Sequence, residues 1–549
     1  MTETTSSGIK LSFQTKGNYK YAKVPGISYR ENGKIRKKGT IYLGRVIDEK
    51  NFIFFSKDRG VFKFDPVNNL FLDAPENYTG QLKNDQRKKP TLILDFGDSY
   101  FLSQLIRNIK YDEVIEAIGY KNSDTIYSMI MFYILTNYSC MHCNTWYEGN
   151  FAKILYPNAD LHSQRISEFL KFLGREDVRQ KFFRAHIEWL KKNICNDPAI
   201  VIDSTGLPND IDIELPNVSN HNGKISNEVR MVSAVQRDSG YPLIFRAIPG
   251  NINDVSTLST TITTLGEYSV NTDFTLLGAG CVSDKNIDEL YEANIDFVAR
   301  LPEKLKNLHK SIVESGSSDL KTSNNLIEFM GRFVYVKDVE CRVGTKQNTA
   351  YAFLCYDVAA ASDENYKTIA NAKKLSKKKL KEKHSDFHKI FESSGIFIIL
   401  SSLPFKREEI LNVYYNRLIV EQYFDLGKGL SRLIPLRVHS EDRVLGHLLL
   451  CQIAATINLY VQKTLEQSYN NSVELYLGLR NQKCTVYSTR IITNEAQSSA
   501  TILYDKFKIK YPNYFDKQGD KLQAHSSLPK SPSDNEIYSL CSYKLSQGI

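Results

Sequence analysis

Several features are scarce in this chain of 549 residues, and each scarcity closes a class of explanation. The nine cysteines form no framework. Their only close pair, Cys140 and Cys143, encloses His142 but has no second pair at zinc-ligand spacing, so they read as reduced core thiols in a reducing compartment. Tryptophan occurs only twice, and together with the many tyrosines it reads as core and surface aromatics, with no interleaved basic motif of the single-strand-binding type. No internal repeat is present. The start, MTETTSSGIK, lacks a cationic segment followed by an apolar run, which predicts no secretion signal and a cytoplasmic location. The most apolar late stretch, Val444 to Val461, contains His447, Gln452 and Asn458, which suits a core helix better than a membrane span.

What remains is ordinary globular material, with 42% hydrophobic and 24% charged residues and length enough for two to four domains. The net charge of +9 favours an anionic partner. It is placed unevenly: residues 1–90 carry 18 Lys/Arg against 9 Asp/Glu. Lys34-Ile-Arg36-Lys37-Lys38 and Arg87-Lys88-Lys89 hold much of that surplus, and its sign points toward nucleic acid.

Periodicity divides the chain. Residues 1–90 alternate β-branched and aromatic residues between Gly and charged turns, which predicts a small basic antiparallel sheet followed by a Lys-rich linker. Residues 91–195 turn helical, with apolar periodicity in Phe101–Ile109, Thr125–Leu135 and Ser163–Leu190. From 196 to 302 the order is β-β-β-α-β-α-β, beginning with the buried run Ala199–Asp203, which predicts a mixed α/β sheet. Residues 303–392 interrupt that sheet with β-type runs and a basic helix at Lys373–Lys383. The sheet resumes in 393–465, where Gly395–Ser401 is a core strand. Residues 466–549 read as irregular, with a Ser/Pro-rich end at Ser526–Asp534.

Chemistry concentrates in Tyr414-Tyr-Asn-Arg417-Leu-Ile-Val-Glu421-Gln-Tyr-Phe-Asp-Leu-Gly-Lys428. On one continuous helix Tyr414, Arg417, Glu421 and Lys428 fall within roughly 60° of one another, a polar stripe on a helix otherwise apolar. The plain alternative is an i,i+4 Arg417–Glu421 ion pair on a partly exposed face. Asp203, closing a buried strand, points to the crevice where open α/β sheets place ligands, and Glu421 on a helix packed there can meet it. Converging carboxylates of this kind hold divalent metals for phosphodiester chemistry. His439 and His447 read as core or capping residues.

The spacing Y-x2-R-x3-E-x6-K at 414, 417, 421 and 428 resembles the third motif of bacterial insertion-sequence transposases with an RNase-H-like DDE core. Val201–Thr205 is similar to their first-Asp strand, Pro249-Gly-Asn251-x2-Asp254 to a following loop, and Gly280–Asn286 to the turn after the second Asp. Arg437 to His447 is similar to the segment beyond the Glu helix, and Ile41–Asp48 to the N-terminal region of one branch. The resemblance covers about residues 20–460. It implies an RNase-H-like core, Asp203 and Glu421 as catalytic ligands of Mg²⁺ or Mn²⁺, and Arg417 and Lys428 on DNA phosphates with Tyr414 seating the DNA. It further implies double-stranded transposon ends and target as partners, a homo-oligomer on DNA, no membrane, and metal-dependent cleavage followed by strand transfer.

One position departs from the pattern. The family carries an aspartate at the end of the strand Thr275-Leu-Leu-Gly278, and glycine offers a metal no oxygen. Asp273 lies roughly 16 Å back along an extended strand, and Asp284, on the next helix, is a poor replacement. The expectation is an impaired transposase. The competing readings are a catalytically dead DNA-binding relic and a metal-dependent nuclease unrelated to mobility.

Overall fold

The computed structural model describes residues 9–16, 19–31, 34–56, 59–75, 78, 92–195, 198–208, 217–221, 224–251, 257–372, 391, 393–429, 433–434, 436, 438, 440–465, 472–487, 490–518 and 521–525. They belong to two compact units, residues 1–91 and 92–549.

Among the described residues of the first unit, Gly and charged turns punctuate eight strands: β1 (Ser12–Lys16), β2 (Tyr19–Val24), β3 (Ile27–Glu31), β4 (Lys34–Lys38), β5 (Ile41–Asp48), β6 (Ile53–Ser56), β7 (Gly60–Asp65) and β8 (Leu70–Asp73). Six form an antiparallel sheet in the order β1-β2-β5-β6-β7-β8, and β3 and β4 pair as a separate hairpin. One face buries Ala22, Val24, Leu43, Phe54, Phe62 and Phe64. Gly44 has φ +89° and lies so close to β6 that a Cβ would meet the Phe55 carbonyl oxygen at 2.1 Å, so only glycine fits. The Arg87–Lys89 run lies outside the described residues.

The second unit opens with β9 (Leu92–Asp95) and seven helices, α1 (Gly97–Asn108), α2 (Asp112–Ala117), α3 (Ser123–Leu135), α4 (Cys143–Glu148), α5 (Ala152–Leu155), α6 (Ser163–Gly174) and α7 (Glu176–Asn193). The periodic stretch Ser163–Leu190 is thus two helices, broken at Arg175, whose extended ψ of 141° ends one and caps the next.

The sheet that positions the site follows: β10 (Ala199–Pro208), β11 (Asn217–His221), β12 (Lys224–Gln236), β13 (Pro242–Pro249), α8 (Leu258–Glu267), β14 (Phe274–Leu277), α9 (Asp284–Glu292) and β15 (Asp296–Arg300). β12 runs antiparallel to β10 and β13, whereas β10, β14 and β15 are parallel neighbours. The order β13-β12-β10-β14-β15 is the RNase-H-like arrangement, hairpins first and helical crossovers after. The crossover strands are short with apolar centres, as suits strands of a buried parallel sheet: every residue of β14 is buried, as are Phe297, Val298 and Ala299 of β15.

The stretch expected to interrupt this sheet extends it. After α10 (Lys306–Gly316) come β16 (Leu326–Phe329), β17 (Arg332–Val343), β18 (Asn348–Asp357), α11 (Val358–Ala372) and β19 (Ile396–Ser401). β19 pairs with β15 on one side and β18 on the other, continuing the sheet through β17 to β16. Pairing here satisfies the backbone edge that β15 would otherwise expose. The basic run at 373–383 lies outside the described residues.

Three helices follow, α12 (Arg407–Tyr415), α13 (Leu418–Gly429) and α14 (Glu441–Leu465). α14 is long and apolar enough to cross a membrane, but 89% of its most apolar window is buried inside the protein, and it acts as the core helix the sequence implied. Its Gly446 lets α6 approach closely: a Cβ there would meet the Leu170 carbonyl oxygen at 1.9 Å. His447 is buried and bonded to the Tyr133 hydroxyl at 2.8 Å, a core role, whereas His439 lies outside the described residues.

The C-terminal region corrects the expectation of irregularity. α15 (Ser472–Arg480), β20 (Lys483–Val486), β21 (Arg490–Thr493), α16 (Ser498–Lys506), β22 (Tyr514–Gln518) and β23 (Lys521–His525) are ordered. Their strands form a sheet whose last member is β9, in the order β23-β22-β21-β20-β9. Arg480 caps the join on fully buried Asp98 at 2.9 Å. These strands are short and pair with a segment near the other end of the chain, which no local pattern reveals. Residues 526–549 lie outside the described residues.

Candidate active site

Asp203 lies within β10, not at its end. The parallel pairing to β14 stops at Ile202 with Leu277, while β10 continues to Pro208 against β12. The crevice is therefore made by the end of β14, and Asp203 is the first residue to overlook it. Its side chain is 18% exposed, and Oδ1 accepts the Ser204 N–H at 2.9 Å.

The polar stripe is not built on one continuous helix. α12 ends at Tyr415 and α13 begins at Leu418. Between them, i+3 hydrogen bonds tighten the chain: Arg417 N–H donates to Tyr414 O at 3.0 Å, and Val420 N–H to Arg417 O at 3.1 Å. Tyr414 is buried with 5% exposure and does not stand open to solvent. Its ring instead lies beneath Arg417, with the guanidinium carbon 5.7 Å from the ring centroid. Burial raises the phenol pKa above its ordinary value, with Arg417 pulling the other way.

Arg417 joins the two acids. One terminal nitrogen donates to Asp203 Oδ2. The other donates to Glu421 Oε1 at 3.0 Å. The i,i+4 pair is real, but its guanidinium is also the link to a strand more than two hundred residues earlier. Burial is the largest single influence on Arg417 and disfavours its charge. Tyr414, Asp203 and Glu421 together outweigh it, and the pKa is raised.

Gly278 lies at this junction. Its φ of −69° and ψ of 158° are ordinary extended values, so the backbone does not require glycine. A Cβ built there would lie 3.0 Å from Asp203 Oδ1 and 3.7 Å from an Arg417 terminal nitrogen. Any side chain at 278 would point into the same cluster. Asp273 precedes β14 at its opposite end, and Asp284 opens α9 beyond the 3-10 turn Ala279–Cys281.

Lys428, near the end of α13, donates to Thr205 Oγ1 at 2.6 Å. Thr205 is two residues from Asp203 and shares its face of β10, so α13 is tied to β10 at both ends of the cluster. Nothing local in the sequence gives Thr205 a role; the two-residue period from Asp203 is the one signal that places it at the site. Lys428 also lines a cavity of about 520 Å³ with Tyr138, Cys140, Ile434, Arg443 and His447.

Chemically, the cluster is two carboxylates bridged by one half-buried arginine, with a lysine beside them. A pair of divalent ions needs a carboxylate that bridges or flanks them, and position 278 supplies none. Among the described residues no group of three or more His, Cys, Asp or Glu could hold a metal. The residues present do not fit a two-metal centre. What they offer an anionic ligand is the pair of cations, Arg417 and Lys428.

Residues 195–457 match the family model described as the transposase DDE domain, a span that includes every residue of this cluster. No curated protein matches the sequence. Among solved structures the chain is similar to the piggyBac transposase in a cryo-EM synaptic complex with hairpin DNA. The identity is 9%, the coverage 75% of this chain and 79% of that one, and the TM-score 0.36.

Proposed function

We propose that this chain is a DNA transposase of an insertion sequence, of the branch carrying the Y-x2-R-x3-E-x6-K spacing. It acts in the cytoplasm as a homo-oligomer on double-stranded DNA and binds terminal inverted repeats. Its metal-dependent cleavage and strand transfer are impaired by Gly278. The observation that carries this reading is the meeting of Asp203 and Glu421 on one guanidinium beside Gly278. Tyr414 positions Arg417, Arg417 bridges the two carboxylates, and Arg417 and Lys428 receive the phosphates of the DNA end.

The test is a cleavage assay with Mg²⁺ or Mn²⁺ beside a gel shift, using DNA that carries the inverted repeats flanking the coding region and a scrambled control. End-preferring binding with weak cleavage is expected. Gly278→Asp should raise cleavage at least about tenfold, equivalent to ~1.4 kcal/mol in the barrier. It should also make the melting temperature respond to Mn²⁺, a readout independent of turnover. Strong cleavage by the unaltered protein would refute the impairment, and binding without end preference would refute the transposase reading.

A second reading, a catalytically dead DNA-binding relic or regulator, is favoured by the absence of a third acid among the described residues. Binding with no cleavage, before and after Gly278→Asp, would support it.

A further inference from the structure

The outer face of the first unit's sheet differs from an ordinary solvated face. Antiparallel neighbours that face each other in register project to the same side, and the register here places Tyr21 opposite Arg45 and Lys23 opposite Tyr42. Tyr19, Tyr21 and Lys23 alternate along β2 and share that side. On β1, Lys16 lies opposite Tyr19. Three tyrosines and three cations thus occupy one patch, on the side away from buried Ala22 and Val24.

The rings are open to solvent: Tyr19 is 51% exposed, Tyr21 39% and Tyr42 76%. The Arg45 guanidinium lies 4.9 Å from the Tyr19 ring centroid. Tyrosine is a common strand residue, and one exposed ring would need no explanation. Three rings interleaved with cations are a different matter, because they combine planar stacking surfaces with phosphate-sized charges. The first 90 residues around them carry 18 Lys/Arg against 9 Asp/Glu, so the complementary partner is a polyanion.

We propose that this face binds single-stranded nucleic acid, the tyrosine rings stacking on unpaired bases while Lys16, Lys23 and Arg45 meet the phosphates. Duplex DNA is the poorer occupant. Its bases already stack on one another and present only edges, so exposed rings on a sheet gain nothing from it. The contact goes beyond the Asp203 site and does not depend on that site being catalytic; in a transposase it would hold the strand exposed at a processed end.

The test uses the full chain and a fluorescein-labelled oligodeoxythymidine of about 15 nucleotides, read by anisotropy against a duplex of equal length. The oligonucleotide should bind more tightly than the duplex. Tyr21→Ala with Tyr42→Ala should weaken it by about ten- to a hundredfold, the size of lost stacking on one or two bases. Tyr21→Phe with Tyr42→Phe should stay within about twofold, since the rings remain. Lys23→Gln with Arg45→Gln should flatten the salt dependence by roughly 0.7 per charge removed. The proposal is overturned if the alanine pair binds like the parent, if duplex binds as well as the single strand, or if only Lys428→Gln, in the other unit, weakens the oligonucleotide. The last outcome would leave the Asp203 site as the DNA contact and remove this one.

Discussion

Two clusters of cations, one in each unit, are held in opposite ways. In the second unit Arg417 is 20% exposed and pinned by Asp203 and Glu421, and Lys428 is bonded to Thr205. In the first unit Arg45 leans on a tyrosine ring and Lys16 is exposed on the sheet. A cation fixed by carboxylates has its geometry set before any ligand arrives, and a ligand phosphate must compete with those carboxylates. A cation over an aromatic ring keeps its charge available and gives up little on binding. The first arrangement suits selection of one geometry, the second suits a chain of variable sequence.

The comparison can be pressed first through pH, because histidine occurs only in the second unit. His186 is fully buried, its two ring nitrogens engaged by the Tyr111 hydroxyl at 3.1 Å and the Pro242 carbonyl at 2.7 Å. Burial lowers its pKa from 6.5 to about 4. The unfolded chain therefore takes the proton first. The stability carried by the neutral ring is complete above about pH 6.5 and is lost as pH falls toward 4. Between pH 7 and 5 the unfolding free energy should drop by about 2 kcal/mol, and His186→Gln should lack that part of the slope. Urea titrations followed by tryptophan fluorescence read this directly, because Trp146 and Trp189 both belong to the second unit and the Trp189 ring is 6.3 Å from His186. Equal slopes in parent and variant would mean His186 is not the buried neutral base described.

A similar contrast compares Arg417→Ala with Arg45→Ala. Removing Arg417 strands a mostly buried Asp203 beside Glu421 and should cost about 2 kcal/mol. Removing Arg45 from its exposed ring should cost about 0.5 kcal/mol. Equal losses would erase the distinction between a pinned and a free cation.

The smallest effect belongs to Glu421→Gln. Its side chain is 49% exposed, and its pair with Arg417 is an i,i+4 contact, so stability should change by about 0.3 kcal/mol. A loss above ~1.5 kcal/mol would place Glu421 with the buried half of the cluster.

How much of this was legible beforehand depends on whether a feature is local. The buried run Ala199–Asp203 and the strands after it are short, apolar and bounded by turn residues, so their order could be read directly. The ion pair Arg417–Glu421 follows from four-residue spacing. The break between α12 and α13 does not, because the stretch is apolar nearly all round and offers no proline or glycine at Asn416. The helix stripe grouped Tyr414 with the others, and the structure keeps it against Arg417, but buried beneath the guanidinium. The tyrosine patch was missed for a related reason. Tyr19, Tyr21 and Lys23 are near neighbours in the chain, but Tyr42 and Arg45 join them only through strand pairing across the bulge at Gly44.

Sequence alone determined the mixed sheet, the helical segment, the basic first unit and the presence of glycine where an aspartate is expected, since each rests on periodicity, composition or a single position. Tertiary structure decided that residues 303–392 lengthen the sheet, that β9 pairs with the far end of the chain, and that position 278 faces Asp203 and Arg417. Those outcomes depend on which backbone edge meets which partner and which way a side chain points. Both are settled by contacts between segments far apart in the chain.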